Sequence, residues 1–469
     1  MDKVAKLRQQ VMQYCKHHAF FHKNERILVA VSGGLDSVCL LDVLDNISKE
    51  FGIQLGIAHV HHGIRGDAAE GDLQFVKGLA ETAGLPFFPV RVDVPSFARK
   101  HKLSLEDSAR ILRYDALNDI SLKNSFDKTA VAHTLDDQAE TVLLNFVRGA
   151  GAMGLAGMPP LHGKIVRPLL KVRRRALESY AQERNIEHCQ DETNLDTYYT
   201  RNRIRLQLIP RIESDFDTDF KAVLYRTSEV FSEIEAYLQM VGKEAFKSLV
   251  SLQKKNQIVL EIQAFLDYFS IVQKYALIEA FDRIGVARKA LTYRILTELV
   301  DAVASRRIGR RVDVCKDAYL LIDHDGVSIG RTTNERLSSK EFDLLEDSEI
   351  TWGTFQLRWS ILDCDWSLEF SEGGQIEFLD FDKTGSQLRI RGTEPGDRFV
   401  PLNFSGRKTV SNFFTDRKIP HRLRKATPIL LAKNEIIWVC GYCIDDRFKI
   451  SDKTRRVLKL EITAHENGV

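Results

Sequence analysis

Two serines, two glycines and one carboxylate stand together in Ser32-Gly33-Gly34-Leu35-Asp36-Ser37, and these residue types in this order make an anion site. Gly33 and Gly34 let backbone amides approach a ligand with no Cβ in the way. A helix beginning just beyond them would aim its first N–H groups and its dipole at the same point. Phosphate is the natural guest. The loop is not of the GxxxxGK[ST] type, because no lysine follows the glycines to meet a terminal phosphate. A carboxylate beside phosphates is repulsive unless a cation lies between them. Asp36 therefore points to bound magnesium, or to an ammonium group arriving with a substrate. The plainer alternative is that Asp36 and Ser37 only cap a helix.

A second dense group is His133-Thr-Leu-Asp-Asp-Gln-Ala-Glu-Thr141. Asp136 or Asp137 is expected in the N-terminal turn of a helix, with Asp137, Glu140 and Thr141 on one face. Such carboxylates either compensate the helix dipole or do acid–base work. The stretch His59-Val-His-His-Gly-Ile-Arg-Gly66 reads as another tight loop whose histidines are either structural or close to a nucleotide. In Leu105-Glu-Asp-Ser-Ala-Arg-Ile-Leu-Arg-Tyr114, helical spacing aligns Glu106, Arg110 and Arg113. Arginines there meet either phosphate or the neighbouring carboxylate.

These groups share a context. The apolar run Arg26 to Val31 precedes the first loop, Leu55 to Val60 precedes the histidines, and Lys128 to Ala132 precedes His133. Pro86 to Val92 is a further strand, and helical segments such as Asp72 to Thr82 and Leu105 to Asn118 lie between. Alternation of this kind predicts a parallel, doubly wound α/β sheet with its ligand site at the carboxyl ends of the strands. From Asp215 the pattern changes to helical periodicity with little strand signal through residue 304. A strand pair between Arg311 and Ile329, turning at Asp323-His-Asp-Gly326, follows. Beyond the polar stretch Arg331 to Lys340 lies a strand-rich unit with one helix near Val410 to Arg417.

The chain has 469 residues, enough for several domains, and 44% hydrophobic residues. Its net charge of +2 hides basic clusters: half of the residues from Lys164 to Arg175 are basic, and others lie at Arg201 to Arg205, Arg306 to Arg311, Arg417 to Lys425 and Lys453 to Arg456. Together they suit a folded RNA held through its phosphates, although any one alone reads as a solvated face. No apolar stretch approaches a membrane span and the N-terminal residues lack the apolar core of a signal peptide, so a cytoplasmic protein with no membrane partner is expected. Seven scattered cysteines argue against a disulfide framework, and Cys440 and Cys443 are read as packing residues.

The loop at 32 to 37 resembles the pyrophosphate loop of the N-type ATP pyrophosphatases, which split ATP between its α and β phosphates. With the other groups, the sequence resembles the tRNA(Ile)-lysidine synthase family. The matching pieces include His59-x-x-His-Gly-x-Arg-Gly66, Glu106-x-x-Ala-Arg-x-x-Arg-Tyr114 and His133-x-x-Asp-Asp-Gln-x-Glu-Thr141 with Arg148-Gly149 and Gly154-Leu-x-Gly-Met158. Arg167-Pro-Leu169, Asp191-x-x-Asn194, Arg201-Asn-Arg-Ile-Arg205 and Pro210 follow. Near the C-terminus come Arg391-x-x-x-Pro-Gly-Asp-Arg398, Phe414-x-Asp-Arg-Lys-x-Pro420 and Ile436-x-Trp438 to Phe448. The chain departs from the family at Asp67-Ala-Ala-Glu70 and at Cys443, where an arginine is common.

The resemblance implies a pyrophosphate-loop α/β domain (1–215), a mostly helical tRNA-contacting domain (216–330), a linker (331–349) and a small mixed α+β domain for tRNA recognition (350–469). It implies that free lysine is joined to C2 of the wobble cytidine of an isoleucine tRNA with anticodon CAU, through an adenylated base, at the expense of ATP and with magnesium. Ser32, Gly33, Gly34, Leu35, Asp36, Ser37, His59 and His133 would bind ATP and its pyrophosphate, and Asp36 would hold the metal. Asp36, Arg113, Asp137, Glu140 and Arg205 would carry the chemistry, and Arg417, Lys418, Arg422, Arg424 and Lys425 would contact tRNA. A homodimer is left open. The rivals are a tRNA thiolase, which needs a cysteine or iron–sulfur relay that Cys15, Cys39 and Cys189 do not compose, and an RNA-binding protein with a degenerate nucleotide fold. A glutamine-type amidotransferase is weaker, since position 2 is Asp and not a nucleophilic cysteine.

Overall fold

A computed structural model describes residues 2–64, 67–189, 200–331, 338–345, 348–353, 355–363, 374–424 and 426–464. Of the residues singled out above, Arg65, Gly66, Asp191, Asn194, Lys425 and the side chain of Arg422 lie outside it. The chain forms two compact units, Met1–Tyr237 and Leu238–Val469.

In the first unit, helix α1 (Lys3–His17) leads to strand β1 (Arg26–Ala30), α2 (Leu35–Phe51), β2 (Gln54–His61), α3 (Asp67–Ala83) and β3 (Phe87–Arg91). Then come α4 (Val94–His101), α5 (Leu105–Lys123), β4 (Lys128–Ala130), α6 (Leu135–Val147), α7 (Ala152–Leu155), β5 (Leu161–His162), β6 (Ile165–Val166) and α8 (Arg174–Arg184). The unit closes with α9 (Thr200–Arg203), a π turn over Ile204–Leu208, α10 (Ile209–Phe216) and the start of α11 (Phe220–Leu249).

The sheet order is β3-β2-β1-β4-β6-β5, parallel except for the β5–β6 hairpin. β1 is buried on both faces. Ile27 and Val29 join a core with Val38, Leu41 and Leu177, while Leu28 packs with Leu117, Ile120 and Phe126. This is why the strand reads as an unbroken apolar run: helices cover both sides of a parallel sheet. The chain winds from β1 outward to β2 and β3, then returns to place β4 on the other side of β1. Order reverses between β1 and β4, and ligands in open α/β sheets bind at such a crevice.

The second unit holds three larger sheets. One is five-stranded and antiparallel, and takes in Val250–Lys254 and Gln257–Leu260, two strands inside the stretch whose periodicity predicted helix. These strands are short, and helices on either side dominate the pattern there. The pair Ala318–Ile322 and Val327–Arg331 turns at residues 323 to 326, as the sequence suggests. The other two sheets are antiparallel and share a core that includes Leu357, Leu388, Trp438 and Leu458. A strand at Lys340–Asp343, within the stretch expected as linker, pairs with Gln387–Gly392. Cys440 and Cys443 are buried, in keeping with a packing role. No helix among the described residues is long and apolar enough to cross a membrane.

Candidate active site

The loop after β1 knits itself together. Ser37 Oγ donates to the carbonyl of Gly34 at 2.8 Å and accepts from the amide of Ser32 at 3.1 Å, with the Ser32 hydroxyl 3.1 Å away. Gly33 has φ +95°, a conformation that a residue with a Cβ rarely adopts. Its carbonyl accepts from the Cys189 amide at 2.9 Å, so the chain beyond α8 backs the loop. Gly34 then caps α2 with no side chain of its own, and the first amides of that helix are left for a ligand. Below the loop, His59 Nδ1 lies 2.9 Å from the carbonyl of Val31 and is buried, so it braces the end of β1.

Asp36 lies in the first turn of α2. Its Oδ2 accepts from Arg174 Nη1 at 2.8 Å, while Oδ1 is buried with no partner. Burial raises its pKa to about 6 against the pull of Arg174 and Arg205, and Asp137 and Asp136 add to the rise. A buried acceptor without a donor in a loop suited to phosphate fits a cation. Among the described residues no cluster of three His, Cys, Asp or Glu could hold a metal, so phosphate oxygens would have to complete the shell.

Across the crevice, β4 ends and α6 begins. Asp136 and Asp137 both lie in the first turn of α6; Thr134 is the N-cap, and Asp137 closes a reciprocal capping box by accepting from the Thr134 amide and hydroxyl at 2.9 Å each. Asp136 instead ties two other elements to α6. It accepts from the Arg174 amide at 2.8 Å and from Lys221 Nζ on α11 at 2.7 Å.

Asp137 and Glu140 share one face, as their spacing requires, and two arginines meet them there. Arg201 donates from Nη2 to Asp137 Oδ1 at 3.0 Å and from Nε to Glu140 Oε2 at 2.7 Å. Arg205 donates from Nε to Glu140 Oε1 at 2.5 Å and from Nη2 to Oε2 at 3.1 Å. Glu140 is only 1% exposed. Burial works against the charge of Asp137, but Arg201 and the Thr134 bonds outweigh it and hold its carboxyl below the ordinary range. Arg201 and Arg205 are one turn apart where the helix widens into its π turn just before Pro210. Proline supplies no N–H to the ladder, and π turns of this kind recur at functional sites. Arg201 reads from sequence only as one charge in a basic cluster; its i, i+4 spacing to Arg205, which like the i, i+3 spacing of Asp137 to Glu140 puts both on one helix face, was the available signal.

Burial pushes the His133 imidazole well below its usual pKa, with Arg167, Arg113 and Arg201 adding to the effect and Asp137 opposing it, so the ring is neutral. Arg113 is half-buried, with its guanidinium carbon 5.4 Å from the Tyr114 ring centroid, and Arg110 lies at the same distance. Glu106 pairs with neither among the described residues, so an i, i+4 salt bridge does not account for the two arginines. Gln138 clamps the segment after α6: its Nε2 donates to the carbonyls of Ala156 and Met158 and to Ser228, and its Oε1 accepts from the Met158 amide at 2.8 Å.

In the second unit, Phe413 and Phe414 are core residues. Arg417 and Lys418 are exposed, Lys418 at φ +54°. Arg424 is half-buried and holds its own turn, donating to the Ile419 carbonyl at 2.9 Å and to Thr415 Oγ1 at 3.2 Å.

Fold and site define a pyrophosphate-loop protein. The chain matches the PP-loop domain over residues 3–212 and the TilS substrate C-terminal domain over residues 388–461. It is 32% identical over 456 residues to the tRNA(Ile)-lysidine synthase of Caldanaerobacter subterraneus subsp. tengcongensis, covering 97% of each chain. It is 31% identical over 468 residues to that of Dehalococcoides mccartyi, covering 97% of this chain and 99% of the relative. The chain belongs to the tRNA(Ile)-lysidine synthase family. Among solved structures, the U34-tRNA thiolase NcsA from Methanococcus maripaludis is similar at TM-score 0.42 and 19% identity, over 49% of this chain and 80% of that one. A TILS C-terminal domain is similar at TM-score 0.24 and 21% identity, over 28% of this chain and all of that one.

Proposed function

We propose that this enzyme joins free lysine to C2 of the wobble cytidine of an isoleucine tRNA with anticodon CAU, consuming ATP and releasing AMP and pyrophosphate. The observation that carries the reading is the meeting of two sites at the β1–β4 crevice. The loop from Ser32 to Ser37 carries Asp36, and Arg174 ties it to the start of α6, which carries the Asp137–Glu140–Arg201–Arg205 network, by donating from its guanidinium to Asp36 and from its amide to Asp136.

In the first step the cytidine O2 attacks the α-phosphorus of ATP and pyrophosphate leaves into the loop of Ser32, Gly33, Gly34, Leu35, Asp36 and Ser37. The helix amides and nearby guanidinium groups stabilise the charge that develops. Magnesium bound through Asp36 Oδ1 would neutralise charge on the phosphates. In the second step the lysine ε-amine attacks C2 and expels AMP. An ammonium with a reference pKa of about 10.4 costs on the order of 4–5 kcal/mol to deprotonate at pH 7, so the site must lower that cost. In this reading Asp137 takes the ammonium and its proton, Arg201 giving up its contact with Oδ1. Glu140, with both oxygens given to arginines, acts through Arg201 and Arg205, which steady the phosphates or the activated base. Arg113 and neutral His133 face the same cluster of charges and complete the pocket for the nucleotide. The basic C-terminal residues Arg417, Lys418, Arg422, Arg424 and Lys425 set the register of the tRNA through its phosphates.

The test is incubation with ATP, magnesium, labelled lysine and two isoleucine tRNA transcripts, one with CAU and one with GAU in the anticodon. Label in the CAU transcript alone is expected. Label in neither, with pyrophosphate still released in a tRNA-dependent way, would reassign the nucleophile.

A further inference from the structure

The loop of this chain has no lysine after its glycines, yet pyrophosphate leaving ATP carries several negative charges that helix amides alone offset only in part. The fold brings a cation from elsewhere. Arg174, at the start of α8, reaches Asp36 in the first turn of α2, with Nη1 2.8 Å from Oδ2. We infer that Arg174 is the mobile cation of the loop: it rests on Asp36 when no nucleotide is bound and moves onto the β and γ phosphates of ATP, and then onto the departing pyrophosphate. The inference rests on the reading that the loop holds those phosphates.

Three observations support the exchange. First, the backbone and the side chain of Arg174 are used separately. Its amide donates to Asp136 at 2.8 Å, which fixes the start of α8 against α6 and leaves the guanidinium free to change partners. Second, the resting contacts are of the kind that exchanges readily. The arginine side chain is 40% exposed, it makes one hydrogen bond to Asp36, and Glu178 lies 3.6 Å from Nε. Third, other cations of the crevice are held more tightly. Arg201 and Arg205 share the carboxylates of Asp137 and Glu140 at about a quarter exposed, and Lys221 pairs with Asp136, itself 14% exposed. Arginine suits the task because its planar fork can meet two phosphate oxygens at once. Its resting place also supplies Asp36 with a counter-charge during the interval between turnovers.

The test is calorimetric binding of inorganic pyrophosphate to the full-length wild-type protein and to Arg174→Gln and Arg174→Lys, alongside the KM for ATP and the KM for lysine. The expected result is pyrophosphate binding and KM for ATP each weakened about tenfold in Arg174→Gln and partly restored in Arg174→Lys, which keeps the charge but not the fork, with the KM for lysine within about twofold of wild type. Unchanged pyrophosphate affinity in Arg174→Gln overturns the inference. Should that variant fail to fold, Arg174→Met keeps the apolar stem and gives the same comparison. If the wild-type protein itself binds no pyrophosphate and releases none from ATP with tRNA present, the reading of the loop fails, and the inference falls with it.

Discussion

Arg205 grips Glu140 as a fork, with Nε 2.5 Å from one carboxylate oxygen and Nη2 3.1 Å from the other, and Glu140 has almost no contact with solvent. A carboxylate so enclosed cannot serve as a free base. Its substitution leaves two guanidinium groups with too little negative charge, and breaking a buried pair from one side costs about 3–5 kcal/mol. Glu140→Gln should therefore lower thermal stability and lysine incorporation together. In a double-mutant cycle with Arg205→Gln the two losses should be strongly non-additive, read by denaturant melts of all four proteins.

In the proposed reaction Asp36 should set an acid limit. Its carboxyl is raised to about 6 by burial, so in the free enzyme it gains a proton as pH falls through that value and loses the charge that would hold a cation. His133 does not share this titration, because its ring is held neutral well below. The kcat/KM for ATP should fall below a pH of about 6, and Asp36→Asn should be slow throughout with that limb removed. A limb unchanged in Asp36→Asn would assign it elsewhere.

Gln138 holds the chain between Gly154 and Met158 through both ends of its amide. Truncation strands the Met158 carbonyl and amide in a buried place, at about 1–3 kcal/mol for an unsatisfied group. Gln138→Ala should speed proteolysis between residues 148 and 158, seen by mass spectrometry of limited digests, and reduce turnover more than it reduces tRNA binding.

On the C-terminal unit, Arg417 and Lys418 differ from Arg424. The first two are exposed, so Arg417→Gln and Lys418→Gln should weaken binding of CAU and GAU transcripts alike, each lowering the slope of log K against log salt by about 1. Arg424 also ties Thr415 and Ile419 together, so Arg424→Gln should lower the melting temperature as well. Nitrocellulose filter binding across a salt series, with melts of the same proteins, separates the two behaviours.

What the sequence made legible follows from how local each feature is. The junction from β1 through Gly33 and Gly34 to α2 is encoded within a dozen residues, and helical spacing puts Asp137 and Glu140 on one face without reference to any other element. Partners are another matter. Nothing local links Glu140 to Arg201 and Arg205, sixty-odd residues on, or Asp36 to Arg174, 138 residues on. Sequence reading accordingly put Glu140 among the chemical residues with no partner named, and left Arg174 inside a basic run. Asp136 and Asp137 both lie in the first turn of α6, as their place in the sequence suggests, while the N-cap itself is Thr134, whose hydroxyl Asp137 answers from the third position. The strands at Val250–Lys254 and Gln257–Leu260 escaped notice because each is too short to outweigh the helical periodicity on either side.

The long reach from Asp36 to Arg174, and from Asp136 to Lys221, carries a consequence for the chain as it is made. Synthesis is vectorial, so the glycine loop emerges from the ribosome long before the residues that balance its charge. Until Arg174, Arg205 and Lys221 have followed, the nascent segment has neither the counter-ions nor the packed crevice to act on ATP. A stalled or prematurely ended product stopping short of α11 should therefore be chemically silent, and the cell is spared a loose nucleotide-cleaving fragment.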